Sequence, residues 1–313
     1  MNILNTLFFV AVVGILADAT LGASWSYGDI SAWATNYATC ATQQQSPIDI
    51  VHDDAIVDTT LGDFTHALFD APPQTMTIKN PGYTVQIDLT GGYTIDDPSL
   101  LPGVFKAAQF HLHWGNSSSA GSEHLFNGNQ YWGELHIVHY NTKYPDLGTA
   151  ANESDGLAVL GFFITKDYPQ DNTAVQRMIQ PLTEDRVNYN SESESYTTTF
   201  SMETFLPNNI SVYYRYQGSL TTPPCYESVM WTVFSEPIRI STAQANIFET
   251  RIFSADRGTS NPDLVNNNYR PAQPLNGRTV FRSTQCSGTG SFSMPTFHFV
   301  ALCATVIGLI IVR

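Results

Sequence analysis

The chain has 313 residues, 42% of them apolar and 12% aromatic, which is enough for a sizeable core and economical with one large domain. Only 13% are charged, and acids outnumber bases 28 to 14 for a formal net charge of −14. That balance argues against nucleic acid and against adsorption to anionic lipid, and no repeat, like-charge run or low-complexity linker suggests a second unit.

The chain opens on an apolar stretch, Leu4 to Leu16, followed by small residues. Ala17-Asp18-Ala19 fits a small-residue cleavage site, so residues 1–23 read as a signal peptide cut between about 19 and 23. The stretch lacks a leading Lys or Arg, and a buried helix or signal anchor is the alternative. Short alternating segments follow, punctuated by Gly, Pro, Asn and Asp. Tyr83–Leu89, Ala108–Trp114, Glu134–Tyr140, Leu157–Ile164, Ser211–Tyr216 and Val229–Phe234 are predicted strands. Helical periodicity is confined to Thr173–Ile179 and Thr242–Phe253, the second capped by Thr242 with Ile247, Ile252 and Phe253 facing the core. The pattern gives a mainly β domain with a few peripheral helices.

At the far end, Phe299 to Val312 is apolar but shorter than the ~20 residues a bilayer demands. Small residues at Ser287-Gly288-Thr289-Gly290-Ser291 and a polar spacer through His298 precede it. Residues 286–313 therefore read as a removable GPI-attachment signal with its site at about 287–290, a short transmembrane anchor or secretion being the alternatives. Of the four cysteines, Cys303 falls in that tail and Cys286 is left odd. Asn116, Asn152 and Asn209 head glycosylation sequons.

The chemistry concentrates in two runs. Gln109-Phe110-His111-Leu112-His113-Trp114 places two imidazoles two residues apart, hence on one face of a strand. Glu134-Leu135-His136-Ile137-Val138-His139 puts Glu134, His136 and Val138 on one face and His139 on the other. If the two strands are neighbours, His111, His113 and His136 converge into a three-histidine zinc site with a fourth position for water.

These runs do not stand alone. Gln45-Ser46-Pro47-Ile48-Asp49-Ile50, Gly121-Ser122-Glu123-His124, Gly218-Ser219-Leu220-Thr221-Thr222-Pro223-Pro224 and Tyr269-Arg270-Pro271-Ala272-Gln273-Pro274-Leu275 accompany them in order. From about Trp25 to about Ser283 the chain resembles the α-class carbonic anhydrases. The resemblance implies a catalytic domain over 24–285, built on a single large twisted, mostly antiparallel sheet with zinc in a conical cleft. It implies reversible hydration of CO2 to bicarbonate by zinc-bound hydroxide, with one Zn2+ on His111, His113 and His136. Carbonic anhydrase is itself the usual example of zinc bringing the pKa of bound water near neutrality. Gln109 and Glu134 are expected to orient ligands from outside.

Thr221 and Glu123 match the family's orienting pair, because an ionised carboxylate only accepts and obliges the threonine hydroxyl to donate. Val138, Val159, Leu220 and Trp231 match its apolar CO2 pocket, with Thr222 at the mouth. Cys40 and Cys225 match a disulfide of secreted and membrane-bound members. His124 resembles a buried structural histidine, and His52 and His66 carry no motif and read as loop or surface residues. Tyr83 stands where efficient members have a proton-shuttling histidine, and a phenol with a pKa near 10 relays protons poorly at pH 7. Sulfonamides and anions are expected inhibitors. The rival readings are a binding module without catalysis and a zinc esterase; intact zinc histidines speak against the first and a small apolar pocket against the second.

Overall fold

The computed structural model describes residues 25–62, 64, 74–96, 101–184, 187, 196–255 and 263–284. The segments read from the sequence as a signal peptide and an attachment signal, with His66, Cys286 and Cys303, lie outside them. Short strands β1 (Asp49–Ile50) and β2 (Ile56–Val57) come first, then β3 (Gln74–Lys79), β4 (Gln86–Leu89) and β5 (Thr94–Ile95). The long strands are β6 (Phe105–Trp114), β8 (Gly133–Asn141), β9 (Leu157–Thr165) and β12 (Val229–Arg239). Shorter ones are β7 (Leu125–Phe126), β10 (Tyr196–Phe200), β11 (Tyr213–Gly218) and β13 (Phe281–Arg282). Among the described residues the α-helices are α1 (Trp33–Asn36), α2 (Leu147–Ala151), α3 (Thr173–Thr183) and α4 (Thr242–Arg251).

Among the described residues, one 11-stranded sheet runs in the order β10-β3-β4-β6-β8-β9-β12-β11-β13-β2, with β5 against β6. Within it only β9–β12 and β13–β2 pair parallel, so the expected mostly antiparallel sheet is what forms; β1 and β7 make a separate parallel pair. Alternation sorts the central strands onto two cores. Phe110, Leu112, Leu135, Ile137, Leu160 and Phe162 enter the larger one, which α3 and α4 cover with Val175, Met178, Ile179 and Phe248. Val138, Val159, Phe163, Tyr214, Tyr216 and Trp231 form the smaller one on the opposite face. Because both faces are covered, β8 and β9 are buried almost throughout.

Three boundaries differ from the sequence reading. Pairing of the first predicted strand starts at Gln86, because Pro81 and Gly82 (φ 94°) bend the chain ahead of it. In the fifth, the Asn209 carboxamide holds the Ser211 N–H and hydroxyl in a turn, and β11 starts at Tyr213. The cap of α4 is Ser241, not Thr242. Its Oγ accepts from Gln244 N at 3.1 Å while Gln244 Oε1 accepts from Ser241 N at 3.3 Å, a reciprocal capping box. Of the three residues expected on the core face of that helix, Ile252 is buried; Ile247 and Phe253 are half-buried.

Candidate metal centre and cleft

Register brings the histidines together. β6 and β8 pair with His111 opposite His136, His113 opposite Glu134 and Gln109 opposite Val138, so all six side chains share one face. Ring centroids lie 5.0 Å (His111–His113), 5.3 Å (His111–His136) and 4.6 Å (His113–His136) apart. His139 is buried on the other face, as alternation requires.

Each imidazole spends one nitrogen outward. His111 Nδ1 lies 2.9 Å from Gln109 Oε1, His113 Nδ1 2.8 Å from the Asn268 carbonyl, and His136 Nε2 2.8 Å from Glu134 Oε1. Carbonyl and carboxylate oxygens only accept, so these nitrogens carry the protons and His111 Nε2, His113 Nε2 and His136 Nδ1 keep lone pairs. His113 Nε2 and His136 Nδ1 approach to 3.1 Å. Two lone pairs at that distance repel unless a cation lies between them. Burial also opposes a proton there, pushing the His113 pKa down from 6.5 to about 3, that of His111 well down and that of His136 down. Three neutral imidazoles whose candidate ligand nitrogens lie within 4.8 Å of one another suit zinc with an open fourth position. A second grouping of His124, Glu134 and His136 is committed to hydrogen bonds instead. Glu134 Oε1 takes His124 Nδ1 at 2.7 Å as well as His136, and Oε2 accepts from the Glu123 and His124 N–H groups at 2.9 and 2.8 Å. Burial alone raises that carboxyl, but His124 and His136 override it and hold its pKa well below the usual range.

Glu123 sits beside this cluster, Oε2 3.4 Å from His113 Nε2. Its Oε1 accepts from Arg270 N at 2.8 Å. Burial pushes the Glu123 carboxyl well up, while the nearby Thr221 hydroxyl and the Arg270 N–H pull it down. Oε2 itself has no partner of full hydrogen-bond geometry among the described residues, leaving acceptor capacity aimed into the site. Thr221 is buried on the segment after β11. Cys40 and Cys225 form the disulfide the resemblance implies, with Cα atoms 4.9 Å apart across 185 residues. Cys225 N donates to Thr222 O at 2.9 Å, so the disulfide pins this segment.

His111 and His113 open onto a cleft of about 180 Å³. Val138, Leu220 and Thr222 line it; Val159 and Trp231 follow Val138 along one cross-strand row, in the apolar cluster behind that wall. That volume is below the ~300–1,000 Å³ usual for organic ligands. Tyr83 lines the cleft too, 39% exposed, its ring centroid 5.0 Å from that of Trp25. Burial raises its phenol pKa, away from neutrality. His52, read as a loop or surface residue, opens a 3-10 turn (His52–Asp54) and is half-buried against Tyr214 with Nδ1 2.6 Å from the hydroxyl. Asn152 is exposed, and Asn116 and Asn209 are half-buried at the surface.

Sequence reasoning missed several residues that build the site. Asn268 holds His113 through its carbonyl, while its carboxamide takes Trp114 N at 2.7 Å and reaches Tyr83 O at 2.9 Å. Arg270 was visible only as part of a motif; its buried guanidinium grips Gln45 Oε1, Ser46 O and Cys40 O. Gly161 faces His136 across β8–β9, and a Cβ there would stand 3.2 Å from Glu134 Oε1. Tyr27 lines the cleft with Oη 3.5 Å from His113 Nδ1.

A large, mostly antiparallel sheet with a three-imidazole cluster opening on a small cleft defines a carbonic anhydrase of the α class. Residues 28–284 match the family model of the eukaryotic-type carbonic anhydrases. Carbonic anhydrase 12 of Homo sapiens is 36% identical over 270 residues, covering 84% of this chain and 73% of that protein. Carbonic anhydrase 6 of Homo sapiens is 35% identical over 265 residues, covering 82% of each. The chain belongs to the eukaryotic-type carbonic anhydrase family and is a carbonate dehydratase. Among the described residues, no helix is long and apolar enough to cross a membrane.

Proposed function

We propose that this chain hydrates CO2 reversibly outside the cell, at a single zinc ion held by His111 Nε2, His113 Nε2 and His136 Nδ1. The observation that carries the reading is the set of three bare imidazole nitrogens turned inward while every outer nitrogen has an acceptor. What zinc supplies when held there is Lewis acidity that makes water ionise near neutral pH, carbonic anhydrases being the usual example.

The chain's own residues do the rest. Gln109, Glu134 and the Asn268 carbonyl fix the tautomer and tilt of each ligand. Glu123, with one oxygen on the Arg270 N–H, keeps the other free to accept from the nearby Thr221 hydroxyl. Thr221 is then left as acceptor for a proton-bearing group in the cleft, which orients the attacking oxygen and screens against ligands without a proton. Val138 and Leu220 give CO2 an apolar wall, backed by Val159 and Trp231; Thr222 assists bicarbonate at the mouth. Tyr83, its phenol held protonated, is a weak carrier of the product proton. Sulfonamides and small anions compete for the same open position.

For the address, residues 1–23 serve as a signal peptide, 24–285 as the catalytic domain and 286–313 as a GPI-attachment signal, with glycans on Asn116, Asn152 and Asn209. The disulfide supports an oxidising compartment. One experiment tests both halves: CO2 hydration on intact expressing cells, with a sulfonamide and then with phosphatidylinositol-specific phospholipase C. Sulfonamide-sensitive activity that moves to the medium after the lipase is expected. Folded, zinc-loaded protein without hydration would sink the enzyme reading; activity left wholly on the cells would sink the lipid anchor alone.

A further inference from the structure

The motif Gln45-Ser46-Pro47 is far in sequence from His111, His113 and His136, yet Ser46 stands at the meeting point of the site's supports. Its side chain is fully buried. Ser46 Oγ is hydrogen-bonded to Tyr216 Oη at 2.9 Å, and Tyr216 Oη lies 2.6 Å from His124 Nε2. His124 Nδ1 meets Glu134 Oε1 at 2.7 Å, the same oxygen that His136 Nε2 reaches at 2.8 Å. Every member of this chain is at most 1% exposed. A second arm leaves the same serine. Ser219 N donates to Ser46 Oγ at 3.0 Å and Ser46 N donates to Ser219 Oγ at 2.9 Å, two residues before Thr221. A third leaves its carbonyl, which accepts from Arg270 Nη1 at 2.8 Å; the Arg270 backbone N–H holds Glu123. Gly218 makes this approach possible, since a Cβ there would stand 2.2 Å from Ser46 Oγ.

We propose that Ser46 is a positioning residue that couples the His136 imidazole to the Thr221–Glu123 pair. The inference rests on the reading that His136 is a metal ligand. The interior is dry, so each polar group has few partners to choose from. Glu134 is aimed by His124, His124 by Tyr216, and Tyr216 by Ser46. Removing the Ser46 hydroxyl deprives Tyr216 Oη and Ser219 N–H of one shared partner, so the ligand arm and the threonine arm relax together.

The test compares Ser46→Ala, Tyr216→Phe, their double variant and Ser219→Ala in the full chain. Readouts are the imidazole N–H proton resonances of the metal-free protein, the zinc dissociation constant and kcat. Ser46→Ala and Tyr216→Phe should both move the His124 and His136 N–H signals. Each should weaken zinc binding about threefold to tenfold, less than the ~10–100-fold typical when a ligand's direct partner is lost. The double variant should be no weaker than the worse single one, because both cut one chain. Ser219→Ala should lower kcat with zinc affinity kept within about twofold, and Ser46→Ala should lower kcat more than Tyr216→Phe does. Unmoved N–H signals and unchanged zinc affinity, with only the melting temperature lowered, would overturn the proposal. Multiplying losses in the double variant would overturn it too. If Ser46→Ala does not fold, Tyr216→Phe and Ser219→Ala decide between these outcomes alone. Failure of the unmodified chain to bind zinc would overturn the metal reading, while the N–H comparison in metal-free protein would still judge the chain.

Discussion

Two regions line the cleft and hold their side chains by different means. β6 and β8 position Gln109, His111, His113, Glu134 and His136 by register, each strand fixed along its length by its neighbours. The segment from Gly218 to Cys225, which carries Leu220, Thr221 and Thr222, has no such ladder beyond Gly218. Its hold comes from scattered long-range contacts: Ser219 with Ser46, Trp231 Nε1 with Ser219 O at 3.0 Å, the disulfide to Cys40, and the Thr39 hydroxyl on Pro224 O. A register error in the strands moves every ligand to the wrong face at once. A lost contact in the segment moves one hydroxyl. The strand half therefore decides whether there is a metal site, and the segment half how well it works.

The sharpest way to break the comparison is at the strands. His136→Ala should release zinc on dialysis and lower CO2 hydration by ~10³-fold or more, since it removes several kcal/mol of charge stabilisation. Metal analysis beside stopped-flow hydration checks it; a zinc-loaded, active variant would mean that the three imidazoles are not the ligand set. Thr221→Ala attacks the other half. Zinc content should be unchanged while kcat/KM falls by ~10²-fold, the scale of losing one positioned group. Zinc lost along with activity would erase the division of labour argued above.

A gain of function sharpens it further. Tyr83 is on neither element; Asn268 holds its backbone and Trp25 packs on its ring. Its phenol is pushed away from neutrality by burial, so proton export should limit turnover. Added imidazole should therefore raise kcat, and Tyr83→His should raise it about tenfold in weak buffer, below the ~10²–10⁴-fold of a fully positioned acid or base because the site was not built around an imidazole there. A rate indifferent to both would place the proton path elsewhere.

The strand half was legible in the sequence because alternation is a local code. His111, His113, Glu134 and His136 sort onto one face by counting alone, and the neighbouring of β6 and β8 was the one assumption required. The segment half carries no period, so Thr221 and Thr222 were recognisable only through a family motif. What supports both halves was not legible. Asn268 acts through a backbone carbonyl, which any residue could supply, and Gly161 acts through the absence of a side chain. Arg270 and Ser46 act across 224 residues of chain, a juxtaposition no local pattern records. The misplaced cap of α4 has the same origin in miniature: Ser241 and Thr242 are both good caps, and the partner Gln244 three residues on selects Ser241.

The smallest effect should separate the halves by pH in the metal-free protein. In the fold, burial holds the His113 pKa at about 3, that of His111 well below 6.5 and that of His136 below it. An unfolded chain protonates all three near 6.5. Their contribution to stability is thus fully present above 6.5 and is lost as pH falls from there towards the folded values. Glu123 works the other way, because burial raises its carboxyl pKa and the fold takes up that proton first on acidification. Glu134, held well below the usual range, adds a further loss only below about 4.5. Below pH 7 the buried histidines lower stability and Glu123 offsets part of that loss, so the expected net change on going from pH 7 to 6 is a lower urea midpoint. His111→Gln should flatten that slope by removing one of the strand-borne groups, whereas Thr221→Ala, which touches none of the three histidines, should act only through the Glu123 carboxyl that its hydroxyl pulls down. Equal midpoints at pH 7 and 6 would mean that the metal-free histidines are not held neutral, and the argument that they wait for a cation would lose its electrostatic half.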